Sequence, residues 1–261
     1  MCIRDSLGIY VMGSFGSISQ TSASDLDIWI CHQDDLSKQD QQRLAEKTKK
    51  ISLWASTFHV EMHFYLMTQK RFRNERYSDP LTKENSGSAQ YMLLLEEFYR
   101  SAVRLAGKPL LWLHLWVEDE KQYEAEVARL VMEGELNPND WVDFGGLGQF
   151  SASEYFGASL WQLYKGIDSP YKSVMKILLL ETYAQEYPNA HLIARQFKED
   201  LLSGYRTVTH HFDPYIAILE RISQYLIAHS EFKRLDFVRS CFYVKACLLY
   251  TSPSPRDPKT S

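Results

Sequence analysis

The sequence predicts an α+β protein: a small mixed β-sheet module over residues 7–70, followed by a larger all-helical region over residues 88–248. Three observations carry this. Short apolar runs and period-two alternation are confined to residues 7–67, whereas from about residue 89 the apolar positions recur at helical spacing. No repeat of fixed period interrupts either part. Gly (12) and Pro (9) are too few for a turn-rich barrel.

Residues 7–12 form an apolar run ending at Gly13, a buried-strand pattern. Residues 13–24, GSFGSISQTSAS, are small and polar, as a loop would be. The run 26–31 alternates and then stays apolar, giving a second strand. A helix is expected over 37–58, with Leu44, Ile51, Leu53, Trp54 and Phe58 on its inward face. HVEMHFYLM, 59–67, alternates and reads as a third strand, and the polar stretch 70–88 reads as a connecting loop. Beyond it, helices are expected over 89–106, 118–132, 151–165, 170–187, 214–228 and 232–248. Their signals include Ser151-x-x-Glu154, Ser169-Pro170 and Asp213-Pro214 at starts, and Pro188 as a stop. MCIRDS (1–6) and the Pro/Ser-rich end (249–261) resemble translated sequencing-adaptor sequence and are expected to be non-native or disordered, packing on nothing.

Lys plus Arg (29) against Asp plus Glu (33) leaves a net charge of −4, which speaks against a nucleic-acid partner. No apolar run reaches the ~18–20 residues that span a bilayer, so no membrane span is expected. Cys2, Cys31, Cys241 and Cys247 form no metal or disulfide pattern and read as free thiols of a cytoplasmic protein. The doublet His210-His211 reads as loop.

The chemistry sits in Gly13-Ser14 followed by Ser24-Asp25-Leu26-Asp27. Carboxylates at i and i+2 of a strand project from one face, ~6.5 Å apart along it, and can grip a pair of hard cations. A glycine permits close backbone approach, so Gly13, Ser14 and adjoining N–H groups can cradle phosphate oxygens. A third carboxylate is expected on a neighbouring strand. Glu61 is central in 59–67, on the same face as His59 and His63, and is preferred because hard ions favour oxygen. Together these describe phosphoryl or nucleotidyl transfer.

The order Gly-Ser, spacer, Asp-x-Asp, helix, strand, acid resembles the nucleotidyltransferase superfamily of DNA polymerase beta. SDLDIWICHQ, LLLEEFYRSAVRLAGKPLLW, EYFGASLWQLYKGIDSPYKSVMKILLLETY and RLDFVRSCFYVKAC are similar to the bacterial class I adenylate cyclases, from Gly13 to about Cys247. That resemblance implies an internal catalytic piece of a longer, N-terminally extended protein. It also implies conversion of ATP to 3′,5′-cyclic AMP and pyrophosphate, and regulatory partners acting through a missing C-terminal region. On this reading Asp25 and Asp27 bind two Mg²⁺ ions, with Mn²⁺ the alternative, and Glu61 completes the metal site or takes the proton. Gly13, Ser14 and Ser24 hold phosphates. Lys165, Lys172, Lys176 and the Ser169 helix start supply positive charge from the helical region, which forms the other wall of the ATP cleft. Lys172 is the most telling, because a first-turn cation is disfavoured by the helix dipole unless an anion is present.

Two alternatives stay open at this point: nucleotidyl transfer to a protein or RNA acceptor, and an inactive nucleotidyltransferase-like scaffold. The stripe Phe156, Trp161, Tyr164 is expected to be core, and Glu96-Glu97 with Arg100 and Arg104 to be surface pairing. Asp140 and Asp143 beside Gly145-Gly146 read as a helix end and turn.

Overall fold

The structure is a computed structural model that describes residues 6–21, 24–74, 91–148, 150–204 and 212–251. Four strands, β1 (Ser6–Met12), β2 (Leu26–His32), β3 (Met62–Met67) and β4 (Val103–Gly107), form one mixed sheet in the order β3-β2-β1-β4. β1 lies antiparallel to β2, with Ile9 opposite Ile30 and Met12 opposite Asp27, and antiparallel to β4. β2 and β3 are parallel, as a crossover requires, and α1 (Lys38–Ser56) makes that crossover.

Alternation along the strands gives the sheet two apolar faces. Val11, Ile28 and Ile30 point to the α1 side with Leu44 and Phe64. Tyr10, Met12, Trp29, Cys31 and Met67 point to the main core. There Trp29 stacks on Phe98 at 4.1 Å and meets Phe72 and Phe144 edge-on or tilted. Over this face lie α2 (Gln69–Asn74), α3 (Tyr91–Ser101), α4 (Tyr123–Met132), α5 (Ala152–Lys165), α6 (Pro170–Gln185), α7 (Ile193–Leu202), α8 (Pro214–Ala228) and α9 (Phe232–Thr251). Ser37, Ser151 and Asp213 cap α1, α5 and α8 as their positions suggest.

Several expectations are corrected. The helix expected over 89–106 ends at Ser101, and residues 103–107 become β4, because the exposed edge of β1 offers Val103–Gly107 a ladder. Gly107, at φ +83°, lies so close to Leu7 that any side chain would strike its carbonyl. In α1 the residues facing the sheet are Leu44, Thr48, Ser52 and Ala55, small enough for close approach. Leu53, Trp54 and Phe58 therefore turn outward and stay more than half exposed. Of the expected core stripe only Trp161 is buried, while Phe156 and Tyr164 face solvent. Glu96 and Arg100 are a buried ion pair, not a surface one; Glu96 also accepts from Tyr183 Oη (3.1 Å) and Ala194 N (3.2 Å). α2 starts inside the expected loop, and α7 stands where no helix was expected. Asp140 ends a 3₁₀ turn, as expected.

At the ends, Ser6 already pairs with His32 in β1, and α9 continues to Thr251. The rest of the two end segments, the stretch 75–90 and the His210-His211 doublet lie outside the described residues. Among the described residues no helix is long and apolar enough to cross a membrane.

Candidate active site

A cleft of about 500 Å³ opens between the sheet, where β1 ends and β2 begins, and helices α3, α5, α6 and α9. The turn after β1 places Gly13 and Ser14 at one side. Gly13 has φ +92°, open to glycine and strained for other residues, and Asp27 Oδ2 lies 3.8 Å from where its Cβ would be. Its N–H donates to Ser101 Oγ (3.1 Å), whose hydroxyl donates to the Glu97 carbonyl (2.7 Å), so α3 fixes the turn. Ser24 closes the loop by accepting from Thr21 N (2.9 Å). Asp25 and Asp27 follow, both lining the cleft.

Glu61 also lines the cleft but is not central in a strand. It immediately precedes β3, its carbonyl accepting from Leu26 N (2.9 Å). The register sets His63, not Glu61, opposite Asp27. The Glu61 side chain is 73% exposed and lies 3.0 Å from His63 Nε2. His59 has a left-handed backbone (φ 58°) outside the strand, so the expected alignment of His59, Glu61 and His63 on one strand face does not form. Among the described residues no three His, Cys, Asp or Glu side chains come together as a metal cluster. Tyr65 donates to Asp27 Oδ1 at 3.3 Å.

Opposite the aspartates stand the cations. Lys172 and Lys176 are one turn apart on α6, an i,i+4 like-charge pair that costs stability unless an anion compensates. Lys176 Nζ donates to Glu97 Oε1 at 2.6 Å. Lys165 lies over the Trp161 ring, 5.3 Å from its centroid. Ser169 lines the cleft as N-cap of α6 but supplies no side-chain cap. All ten residues singled out in the sequence thus face one cavity.

Charge balance there is taut. Burial raises the Asp27 carboxyl pKa and the neighbouring Asp25 charge adds to this, against Lys172 and His63. Lys172 is raised, by the adjacent Tyr215 phenol first and then, against its own burial, by Asp25, Glu97 and Asp27. Burial opposes ionisation of Glu97, yet Lys176 and Arg100 bring its pKa down to about 2. Burial lowers Lys176 despite that partner. The two shifts pull opposite ways on one ion pair; the 2.6 Å contact with the added Arg100 and Lys172 charges favours the ionised Glu97.

Sequence reasoning missed Glu97, Tyr65, Gln162 and Lys245, all of which line the cleft. The period of α3 put Glu97 on a surface face, and Lys245 sits in a locally apolar stretch of α9, FYVKAC, where its reach into the site depends on packing alone.

The fold and site define an α+β protein whose strand ends set Gly-Ser and Asp-x-Asp opposite a bank of lysines. More narrowly, the chain belongs to the class I adenylate cyclase family. Residues 3–113 match the family's adenylate cyclase NT domain, and residues 150–259 match the class-I adenylate cyclase second domain. It is 75% identical over 240 residues to an adenylate cyclase of Haemophilus influenzae, 66% to one of Pasteurella multocida and 50% to one of Escherichia coli K12. Each alignment covers 92% of this chain but only 28%, 29% and 28% of the relative. The chain therefore spans under a third of those proteins. A crystal structure of spectinomycin adenyltransferase AAD(9) from Enterococcus faecialis aligns over 92% of both chains at 12% identity and a TM-score of 0.38.

Proposed function

We propose that the cleft cyclises ATP to 3′,5′-cyclic AMP and releases pyrophosphate, with the β-sheet module (7–70) and the helical region (88–248) as its two walls. The observation that carries the reading is the meeting of the Gly13-Ser14 turn, the Asp25/Asp27 pair and three α5–α6 lysines on one cavity in a chain of this family.

A divalent ion suits the donor set. Asp25 and Asp27 are two hard oxygen ligands, and Asp27 is held against its own ionisation by burial and by Asp25, the condition a cation would relieve. Mg²⁺ is commonly held by one or two carboxylates together with substrate phosphates, so this pair suffices without a third protein ligand. When bound, Mg²⁺ would polarise the α-phosphate and acidify the ribose 3′-hydroxyl.

The chain's own groups do the rest. The Gly13-Ser14 turn and Ser24 border the phosphates, while Lys165, Lys172, Lys176 and the uncapped α6 start offset their charge. Held in line, the 3′-oxygen bonds to the α-phosphorus as the bond to the β-phosphate bridging oxygen breaks. Glu61, coupled to His63 at the cleft rim, takes the hydroxyl proton. Trp161 offers a flat apolar wall for the base.

Incubation with ATP and Mg²⁺ should give cyclic AMP and pyrophosphate in equal amounts with no acceptor added. Asp27→Asn should lower the rate by at least roughly 10²–10³-fold. It should also raise the melting temperature, because a disfavoured buried charge is removed. Nucleotidyl transfer to an added acceptor without cyclic AMP would refute the reading.

A further inference from the structure

Two ammonium groups in the cleft are unpaired. Lys176 is bonded to Glu97 and Lys165 lies over Trp161, whereas Lys172 of α6 and Lys245 of α9 make no hydrogen bond or ion pair among the described residues. Both are half-buried, both line the same cavity, and their helices pack against each other. Their stems are thus fixed while their heads share one space. Burial and the Lys172 charge work against protonation of Lys245, and Asp25 favours it. Asp25, Glu97 and Asp27 already favour the Lys172 charge, so Lys245 is the less compensated of two ammoniums lining one cleft, and a polyanion bound there would serve both.

We infer that Lys245, with Lys172, forms the subsite that holds the pyrophosphate portion of the substrate. The identity of that group rests on the cyclase reading above. As the bond between the α-phosphorus and the bridging oxygen breaks, its electron pair leaves with pyrophosphate. The charge that accumulates there meets two ammoniums, with no proton transfer needed. Lys245 thereby makes α9 part of the site.

The test titrates inorganic pyrophosphate into the chain calorimetrically in magnesium buffer, with adenosine as a phosphate-free probe. Lys245→Met should weaken pyrophosphate by about 10- to 100-fold, the loss of a charge-assisted contact, and leave adenosine unchanged. Lys245→Arg should restore binding to within about threefold. Should the Met variant unfold early in a thermal scan, Lys245→Gln replaces it in the same comparison. Pyrophosphate binding indifferent to Lys245, or absent from the unsubstituted chain, overturns the inference. Binding that depends on Lys245 in a chain that forms no cyclic AMP keeps the subsite and discards the cyclase reading. Cyclic AMP formation with binding indifferent to Lys245 does the reverse.

Discussion

Glu97→Gln removes one negative charge from the cleft wall while keeping its shape. In the folded chain the carboxyl pKa is brought down to about 2: burial opposes the charge, but Lys176 and Arg100 outweigh it. An unfolded glutamate titrates near 4.5, so the ionised form stabilises the fold by about 3 kcal/mol at 1.36 kcal/mol per tenfold change. The sign follows from proton uptake. The unfolded chain protonates first on acidification, so the contribution is complete above pH ~5 and is lost as pH falls from about 4.5 to about 2. The variant lacks it at every pH, and its neutral amide still offers Lys176 an acceptor oxygen. The stability difference from the unsubstituted chain should therefore be about 3 kcal/mol at pH 7 and roughly half that or less by pH 3. Urea unfolding midpoints of both chains, measured stepwise from pH 7 to pH 3, test this. A difference that stays constant across that range would show that the surrounding cations do not hold the Glu97 charge.

Two further outcomes are expected. Glu61→Gln and His63→Ala should each lower cyclic AMP formation by about 10²-fold, and the double variant should be no worse than the slower single, since the two side chains act as one unit; multiplying losses, or full activity in Glu61→Gln with a dead His63→Ala, would overturn the assignment. Lys198 is fully buried, 3.2 Å from Glu120 and 4.2 Å above Trp112. Lys198→Met should cost about 3–5 kcal/mol in urea unfolding. The double variant with Glu120→Gln, which can still accept from Trp112 Nε1 and Leu147 N, should recover much of that loss; a single-variant cost under about 1 kcal/mol would count against a paired ion.

What could be read from the sequence is what short range determines. Gly13-Ser14 and Asp25-x-Asp27 are spelled out within a few residues, with Asp27 in β2 and Asp25 just before its start. Ser151, Ser169 and Asp213 mark helix starts for the same local reason. The misreadings share one physical cause. Whether Glu96 and Arg100 face water or core, whether 103–107 coils or extends, and whether Leu53 or Ala55 meets the sheet depend on what packs opposite. Helical spacing is identical in both cases. Lys245 is the extreme example, since a single lysine among apolar residues has the same pattern at a surface as at a site. Glu61 failed differently: the strand began three residues later than its alternation implied, which moved His59 off the face.

The ladder between β1 and β4 also sets a schedule for assembly. Gly8 pairs with Gly107, so the first strand waits for almost a hundred residues of chain before its outer neighbour exists. Closing a loop of that span costs entropy before any contact rewards it, and such pairings are slow. Until then β1 has β2 on one side and an open row of N–H and C=O groups on the other, where a strand from another molecule could add. α3 runs directly into β4 and packs beneath β1 through Phe98 and Tyr10, 5.7 Å apart between ring centroids. Docking of that helix delivers the missing strand to its edge. The step that covers the β1 edge is thus the same one that brings Ser101 to the Gly13 amide. It hands the open edge of the sheet to β4, a five-residue, mostly exposed strand carrying Arg104, short and charged enough to discourage a foreign strand.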